Sequence, residues 1–331
     1  MLSFNMHIPP QFSLLICMIF LFILNISHGN LHGTKIYNSS TSTHIPHSTL
    51  RFIAFGDWGT DMRDQKEDAE AMGRWCDANR CDFIMSTGDN FYSYGVYSAD
   101  DERFQKTWAN VYDHPSIAGL TWLVVAGNHD HGNGANDGRE WFEVEHSKLE
   151  PRWYFPDLAY SYKISTTSTT VKFVGYDSES LRHDKNSPDK MLDFIDTELS
   201  NNNTDWKIIF GHHPAYSAGY YAGDSTIRDQ VVPLMKKNYV DMYFTGHEHN
   251  QEHWKSKNNA EDTDHITIGS GGYTLFPENE TKVHQMEGYG MELQTFIEDF
   301  GFAYVAIDEN KISLKFINCN LETVYEYSRF R

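Results

Sequence analysis

Five short stretches, spread along the chain, each set a glycine beside a side chain able to bind metal. They are Gly56-Asp57-Trp58-Gly59, Gly88-Asp89-Asn90-Phe91-Tyr92, Gly127-Asn128-His129-Asp130, Gly211-His212-His213-Pro214 and Gly246-His247-Glu248-His249. A Gly-Asp pair taken alone is more often a turn than a ligand. Here every stretch follows an apolar run, and together they offer carboxylate, amide, imidazole and phenol donors. Carboxylate mixed with imidazole suits iron, zinc or manganese better than calcium. A phenol three residues after Asp89 adds Tyr92, whose ionised form favours a hard trivalent ion. The set describes two metal ions held side by side.

Such a pair, about 3.5–4 Å apart, lowers the pKa of a bound water and clamps phosphoryl oxygens. That is the chemistry of phosphate-ester hydrolysis. A bridging carboxylate must hold the ions together; Asp89 is expected to supply it, with Asp57 serving one ion only. In an extended segment residues i and i+2 face the same side, so His247 and His249 would each address one metal. The amide of Asn128 is a poor ligand by itself and gains its meaning from the others. Glycines beside the ligands would let the backbone turn sharply at strand ends.

The elements that must position these residues are legible as apolar runs. Residues 50–55, 82–86 and 120–125 read as strands running into the first three motifs, with a helix at 64–79. The second half repeats the device: strands at 171–176, 207–210 and 240–245, helices at 189–199 and 227–238, the last two strands leading into His212 and His247. Alternating strand, motif and helix is the pattern of a parallel sheet with covering helices, and ligands gather at the carboxyl ends of its strands. From Ile266 onward the chain is β-rich, at 266–268, 303–307, 311–317 and 323–327. Two facing sheets sharing one site are expected, within a single catalytic domain over 50–331.

The 331 residues allow one large α/β domain. Residues 12–24 are almost wholly apolar, too short for the roughly 20 residues of a spanning helix. They fit the core of an export signal occupying 1–29, followed by a polar linker over 30–49. Three sequons, at Asn38, Asn202 and Asn279, are candidate glycosylation sites. Cys76 and Cys81 flank a helix-to-strand turn and are near enough in sequence to form a disulfide, leaving Cys319 unpaired. A secreted, secretory-pathway or lysosome-like location follows. The formal net charge of −19 argues against nucleic acid and anionic membrane surfaces as partners. Small phosphorylated substrates or phosphoproteins remain, since bound cations reverse the local field. No interface signature is seen, and a monomer is expected.

With these residues in view the chain resembles the purple acid phosphatases, most closely the small, animal-type, tartrate-resistant enzymes of the metallophosphoesterase superfamily. The resemblance runs from about Arg51 to Phe330. It rests on the five motifs, extended to Gly127-Asn128-His129-Asp130-His131 and Gly246-His247-Glu248-His249-Asn250. It includes Pro151-Arg152-Trp153-Tyr154-Phe155-Pro156, Gly269-Ser270-Gly271-Gly272 and Gly301-Phe302-Ala303-Tyr304-Val305. It implies an α/β fold, a four-layer α/β/β/α sandwich of two mixed β-sheets flanked by helices, the calcineurin-like arrangement. It implies that Asp57, Asp89, Tyr92 and His249 hold Fe(III), and that Asp89, Asn128, His212 and His247 hold a second ion, Fe(II) with zinc or manganese as alternatives. His129 would lie beside the substrate phosphate as the catalytic contact. The implied activity is acid hydrolysis of phosphate monoesters by a metal-bound hydroxide. A phosphodiesterase or nucleotide pyrophosphatase with two divalent metals, and a phosphatase-like scaffold, are the rival readings.

Three departures stand out against that resemblance. His213 replaces a usual Tyr, and residues 216–226 carry no His where the family offers a second proton donor. The exposed repression loop would fall at 177–189, without its usual Cys. His131 and His213 are expected around the site or at the surface, Glu248 behind the ligands, and Trp58 and Phe91 in packing.

Overall fold

The computed structural model describes residue 37 and residues 39–134, 137–183, 188–257 and 263–331. The strands are β1 (Ser39–His44), β2 (Leu50–Phe55), β3 (Phe83–Ser86), β4 (Thr121–Val124), β5 (Trp153–Tyr154), β6 (Ala159–Ser165), β7 (Thr170–Tyr176) and β8 (Trp206–Phe210). They continue as β9 (Met242–Thr245), β10 (Gln251–Ser256), β11 (Asp264–Ile268), β12 (Met291–Ile297), β13 (Gly301–Ile307), β14 (Lys311–Asn318) and β15 (Thr323–Phe330). Among the described residues they build two mixed sheets. One has the order β15-β14-β13-β2-β3-β4-β5 and the other β1-β6-β7-β8-β9-β11-β10-β12.

Each sheet has a parallel centre. β2, β3, β4 and β5 run parallel in one, and β7, β8, β9 and β11 in the other. Their residues are almost all buried, as strands covered on both faces must be. Phe52 and Phe83 of the first sheet meet Phe173 of the second at 5.6 and 5.2 Å between ring centroids, and Phe52 meets Phe244 at 6.1 Å. Each such ring contributes roughly 1.5–3 kcal/mol by leaving water, so this apolar layer joins the sheets. Helices cover the outer faces. Arg63–Asn79 buries Ala69, Met72 and Cys76 along one stripe, and its Trp75 packs on Tyr304 of β13. Pro188–Ser200 covers the other sheet with Ile195 and Leu199. The fold is the expected sandwich.

Differences from the sequence reading have physical causes. Residues 39–44 of the expected linker form β1, paired parallel with β6; a Ser/Thr strand carries no apolar signal, and backbone pairing with hydrogen bonds from Tyr154 to Thr41 and from Ser161 to Ser40 holds it at the sheet edge. The fold therefore begins before residue 50. β6, β10 and β12 were not expected. β10 reads as a polar run because its Glu252 is buried among partners of its own, Ser217, the Ala218 amide and Trp254. The helix expected at 227–238 is a π-helical turn, Ile227–Val231, continued by Val232–Lys237. Residues 1–29 and Asn38 lie outside the described residues. Among the described residues no helix is long and apolar enough to cross a membrane.

Candidate metal centre

All five motifs lie just beyond strand carboxyl ends: Asp57 after β2, Asp89 after β3, Asn128 after β4, His212 after β8, and His247 with His249 after β9. The first two loops are tied together, the Asp57 amide donating to the Gly88 carbonyl at 2.9 Å and the Thr87 amide to the Phe55 carbonyl at 2.9 Å. Asp57, Asp89 and His247 themselves take left-handed backbone, with φ of 62°, 52° and 68°. That conformation costs an L-residue roughly 1–2 kcal/mol, and strain of this kind concentrates at functional sites. Gly88 takes the expected turn at φ 97°, but Gly127 and Gly246 act differently. A Cβ on Gly127 would stand 2.1 Å from Asp89 Oδ1, and one on Gly246 would stand 2.3 Å from Asp57 Oδ2. Those two make room for the carboxylates, while Asp57, Asp89 and His247 turn the backbone themselves. Trp58 is locked below by Phe55, Phe91, Tyr112, Trp122 and Trp153 at 5.5–6.2 Å.

Two groups of donors face each other across Asp89. On one side Tyr92 Oη lies 3.0 Å from Asp57 Oδ1 and 3.2 Å from His249 Nε2, and His249 Nε2 lies 3.4 Å from Asp57 Oδ1. On the other side Asn128 Oδ1 lies 3.0 Å from His247 Nδ1 and 3.2 Å from His212 Nε2. The Asp89 carboxyl faces both groups: its Oδ2 is 3.5 Å from His212 Nε2, and burial, the charge of Asp57 and its own charge push the Tyr92 phenol up. One ligand atom from each of Asp57, Asp89 and His212 fits within a span of 4.8 Å. Residues 247–250 form a bend rather than the extended segment expected. The left-handed turn at His247, and not strand alternation, sends the two imidazoles to opposite groups.

This donor set fits cations. His212 Nδ1 faces the Thr87 carbonyl at 2.9 Å and His249 Nδ1 faces the Thr274 carbonyl at 2.8 Å. A carbonyl only accepts, so each Nδ1 carries the hydrogen and each Nε2 turns a lone pair toward the oxygens of Asn128, Asp89, Asp57 and Tyr92. Lone pairs converging on lone pairs repel unless a cation or a proton lies between. Protonation shifts show the same demand. Burial opposes charge on His212, yet Asp89 and Asp57 raise its pKa to about 10. Burial pushes the Asp89 carboxyl up, but His212 and His129 outweigh it and hold the group below the carboxylate range. Burial and the two aspartates push the Tyr92 phenol well up.

His129 donates its amide to Asp89 Oδ1 at 2.9 Å, and its Nδ1 faces the Ser93 carbonyl at 2.7 Å. That leaves Nε2 free toward the centre, 3.9 Å from Asp89 Oδ2. A residue given no role from sequence proves central: Asp130, fully buried, accepts the Asn90, Phe91 and Gly127 amides at 2.8–3.0 Å. It thereby clamps the Asp89 and Asn128 loops together. The only signal was its place inside the third motif.

His131 and His213 are both buried rather than at the surface. His131 Nε2 meets Asp177 at 2.8 Å and its Nδ1 meets Glu140 at 3.2 Å. His213 Nδ1 meets Ser178 Oγ at 2.8 Å, and the same oxygen accepts the His212 and His213 amides. The segment expected as an exposed loop at 177–189 therefore begins as a helix, Ser178–His183, with Asp177, Ser178 and Glu179 buried against the His212 loop; residues 184–187 lie outside the described residues. Glu248 is buried and accepts the Tyr221 amide at 2.7 Å. Cys76 and Cys81 are joined in a disulfide and Cys319 is free. Asn202 and Asn279 are exposed.

Residues 50–251 match the family model of the calcineurin-like phosphoesterases. The chain is 28% identical to tartrate-resistant acid phosphatase type 5 of Sus scrofa over 318 residues, covering 89% of each chain. It is 26% identical to purple acid phosphatase 17 of Arabidopsis thaliana, covering 80% of this chain and 79% of that one. Among solved structures it resembles GAP50, the anchor in the inner membrane complex of Plasmodium, at 24% identity and a TM-score of 0.73, over 86% of this chain and 89% of that one. It also resembles purple acid phosphatase PPD1 of yellow lupin, at 17% identity and a TM-score of 0.64, over 86% of this chain and 54% of that one. These two likenesses speak to the fold alone.

Proposed function

We propose that this chain, which belongs to the calcineurin-like phosphoesterase family and is a phosphatase, hydrolyses phosphate monoesters at acid pH with a binuclear Fe(III)–M(II) centre. The observation that carries the reading is the convergence of Asp57, Tyr92 and His249 on one side, and Asn128, His212 and His247 on the other, upon a shared Asp89. The first three with Asp89 would hold Fe(III). Asp89 with the second three would hold the divalent ion, iron with zinc or manganese as alternatives. When bound, the two ions supply an acidified water and neutralise phosphoryl charge.

The chain's own residues prepare that chemistry. The carbonyls of Thr87 and Thr274 fix the tautomers of His212 and His249 and so aim their Nε2 atoms. The Ser93 carbonyl does the same for His129, whose Nε2 faces the centre from the side of Asp89. There it contacts the substrate phosphate or hands a proton to the leaving oxygen. The left-handed backbone at Asp57 and Asp89 keeps both carboxylates directed at one point before substrate arrives, which is preorganisation paid in folding energy. The proposed substrates are small phosphorylated compounds or phosphoproteins, hydrolysed by a monomer in a secreted, secretory-pathway or lysosome-like location.

The test is the pH profile of aryl-phosphate hydrolysis by purified protein beside Asp89→Asn, together with the visible spectrum of Tyr92→Phe. An acidic optimum abolished by the first, and loss of the phenolate-to-iron absorption in the second, support the proposal. A neutral optimum dependent on added manganese would favour a two-divalent-metal esterase. Metal-loaded protein that turns nothing over would favour a scaffold.

A further inference from the structure

Aromatic rings cluster on the metal-ligand candidates, and two of them are largely bare. Tyr221 stacks on His247, 4.5 Å between centroids and 23° between planes, and Tyr220 stands edge-on to Tyr221 at 4.9 Å. Phe276 stacks on His249 at 4.2 Å and meets Tyr220 and Tyr221 at 5.2 and 5.8 Å. Tyr273 stacks on Tyr92 at 4.5 Å, and Tyr92 in turn meets His129 at 4.4 Å. The result is a run of rings that covers His247 of one group and His249 and Tyr92 of the other. Tyr220 and Tyr221 keep 64% and 55% of their surface exposed.

The segment bearing the two tyrosines is held at every step. The Ala218 amide donates to Glu252 at 2.9 Å, the Gly219 amide to Ser217 Oγ at 2.8 Å, and the Tyr221 amide to Glu248 Oε1 at 2.7 Å. Lys282 Nζ donates to the Gly219 carbonyl at 2.7 Å and also to the Tyr220 carbonyl. A Cβ on Gly219 would meet Glu248 Oε2 at 2.3 Å, so the chain can press against this carboxylate only as glycine. Glu248 lies between His247 and His249 in sequence, which ties the aromatic segment to the same bend that carries two ligand candidates. Rigid, exposed rings whose ordering cost is already met in the free protein are what a stacking subsite requires.

We propose that Tyr221, with Tyr220 and Phe276, forms the subsite for the leaving group, and that it selects phosphate monoesters of planar aromatic alcohols over those of alkyl alcohols. This inference rests on the phosphatase reading above. A leaving group directed from the metal pair past His247 would meet the Tyr221 ring stacked on that imidazole. A flat ring there gains stacking that an alkyl chain lacks. Ring–ring contacts of this kind are worth roughly 0.5–1.5 kcal/mol, a factor of about 2 to 12. Stacking acts on bound substrate and transition state alike, so it shows in KM rather than kcat.

The experiment compares phosphotyrosine with phosphoserine for wild type, Tyr221→Phe and Tyr221→Ala, reading kcat and KM separately. The expected result is a fall of about three- to tenfold in the phosphotyrosine/phosphoserine ratio of kcat/KM in Tyr221→Ala, carried by KM, with the ratio kept in Tyr221→Phe. An unchanged ratio in Tyr221→Ala overturns the proposal. So does a Tyr221→Phe variant that loses kcat as severely as Tyr221→Ala, since the hydroxyl and not the ring would then be at work. Binding of phenylphosphonate against methylphosphonate, by calorimetry on the same metal-loaded proteins, reads the subsite without turnover. A wild type that hydrolyses neither ester but prefers phenylphosphonate severalfold, with that preference lost in Tyr221→Ala, would sink the phosphatase reading and leave the aromatic subsite standing.

Discussion

Replacing Asp130 by alanine tests whether one buried carboxylate holds two of the metal-binding loops. Its Oδ1 accepts the Asn90 and Phe91 amides at 2.9 and 3.0 Å, and its Oδ2 accepts the Gly127 amide at 2.8 Å. Asp130 has no exposed surface, and the atoms it serves are equally enclosed. Truncation strands three amides, each costing about 1–3 kcal/mol when left unpaired. Water entering the vacated space brings the sum toward the low end, about 3 kcal/mol. That is a large part of the 5–15 kcal/mol by which domains are commonly stable. Two of the stranded amides neighbour Asp89 and Asn128, so the ligand candidates lose their aim as well. Denaturant unfolding after identical chelator treatment reads the first effect, and metal content of protein as purified reads the second. Asp130→Asn keeps one accepting oxygen and is expected to lose about half as much. A variant Asp130→Ala within about 1 kcal/mol of wild type and with full metal content would refute the clamp.

Gly246→Ala would drive a methyl group into Asp57 Oδ2, at 2.3 Å, with Thr87 Oγ1 at 3.0 Å; metal content and activity are expected to fall at least about 100-fold while circular dichroism keeps its native form. His131 should make stability depend on pH. Burial opposes its charge, but Asp177 and Glu140 raise its pKa from 6.5 to about 9. A raised folded-state pKa means stabilisation fully present below about pH 6.5 and lost as pH rises through 9, on the order of 3 kcal/mol; melting curves across that range should flatten in His131→Gln. The disulfide Cys76–Cys81 closes a loop of sequence separation 5, which the chain-entropy model values at about 2 kcal/mol; Cys76→Ser with Cys81→Ser should lower the melting temperature by a few degrees and leave kcat/KM intact.

Much of this protein could be read directly from its sequence. Strands covered on both faces must be apolar throughout, so β2, β3, β8 and β9 announce themselves, and the motifs that follow them name the donors. The rest escaped for physical reasons. β1 and β10 are polar strands, held by backbone pairing or by buried partners supplied from elsewhere in the chain, such as Ser217 for Glu252. The resemblance implies an exposed loop where the helix Ser178–His183 stands; Asp177 before it is buried on His131, Ser178 on His212 and His213, and Leu181 within the core.

The sequence by itself determined the types of donor, their order, and the strand ends that carry them, because short-range propensity and hydrophobic pattern act within a few residues. Only the tertiary structure decided which donors share a side. His247 and His249 separate through a left-handed bend, and Tyr92 joins Asp57 across 35 positions and His249 across 157. It also decided that Asp130 clamps two loops and that Tyr221 comes to rest on His247. Those relations come from packing one sheet against another, and no local rule of residue type or spacing encodes the distance between side chains that the fold alone brings together.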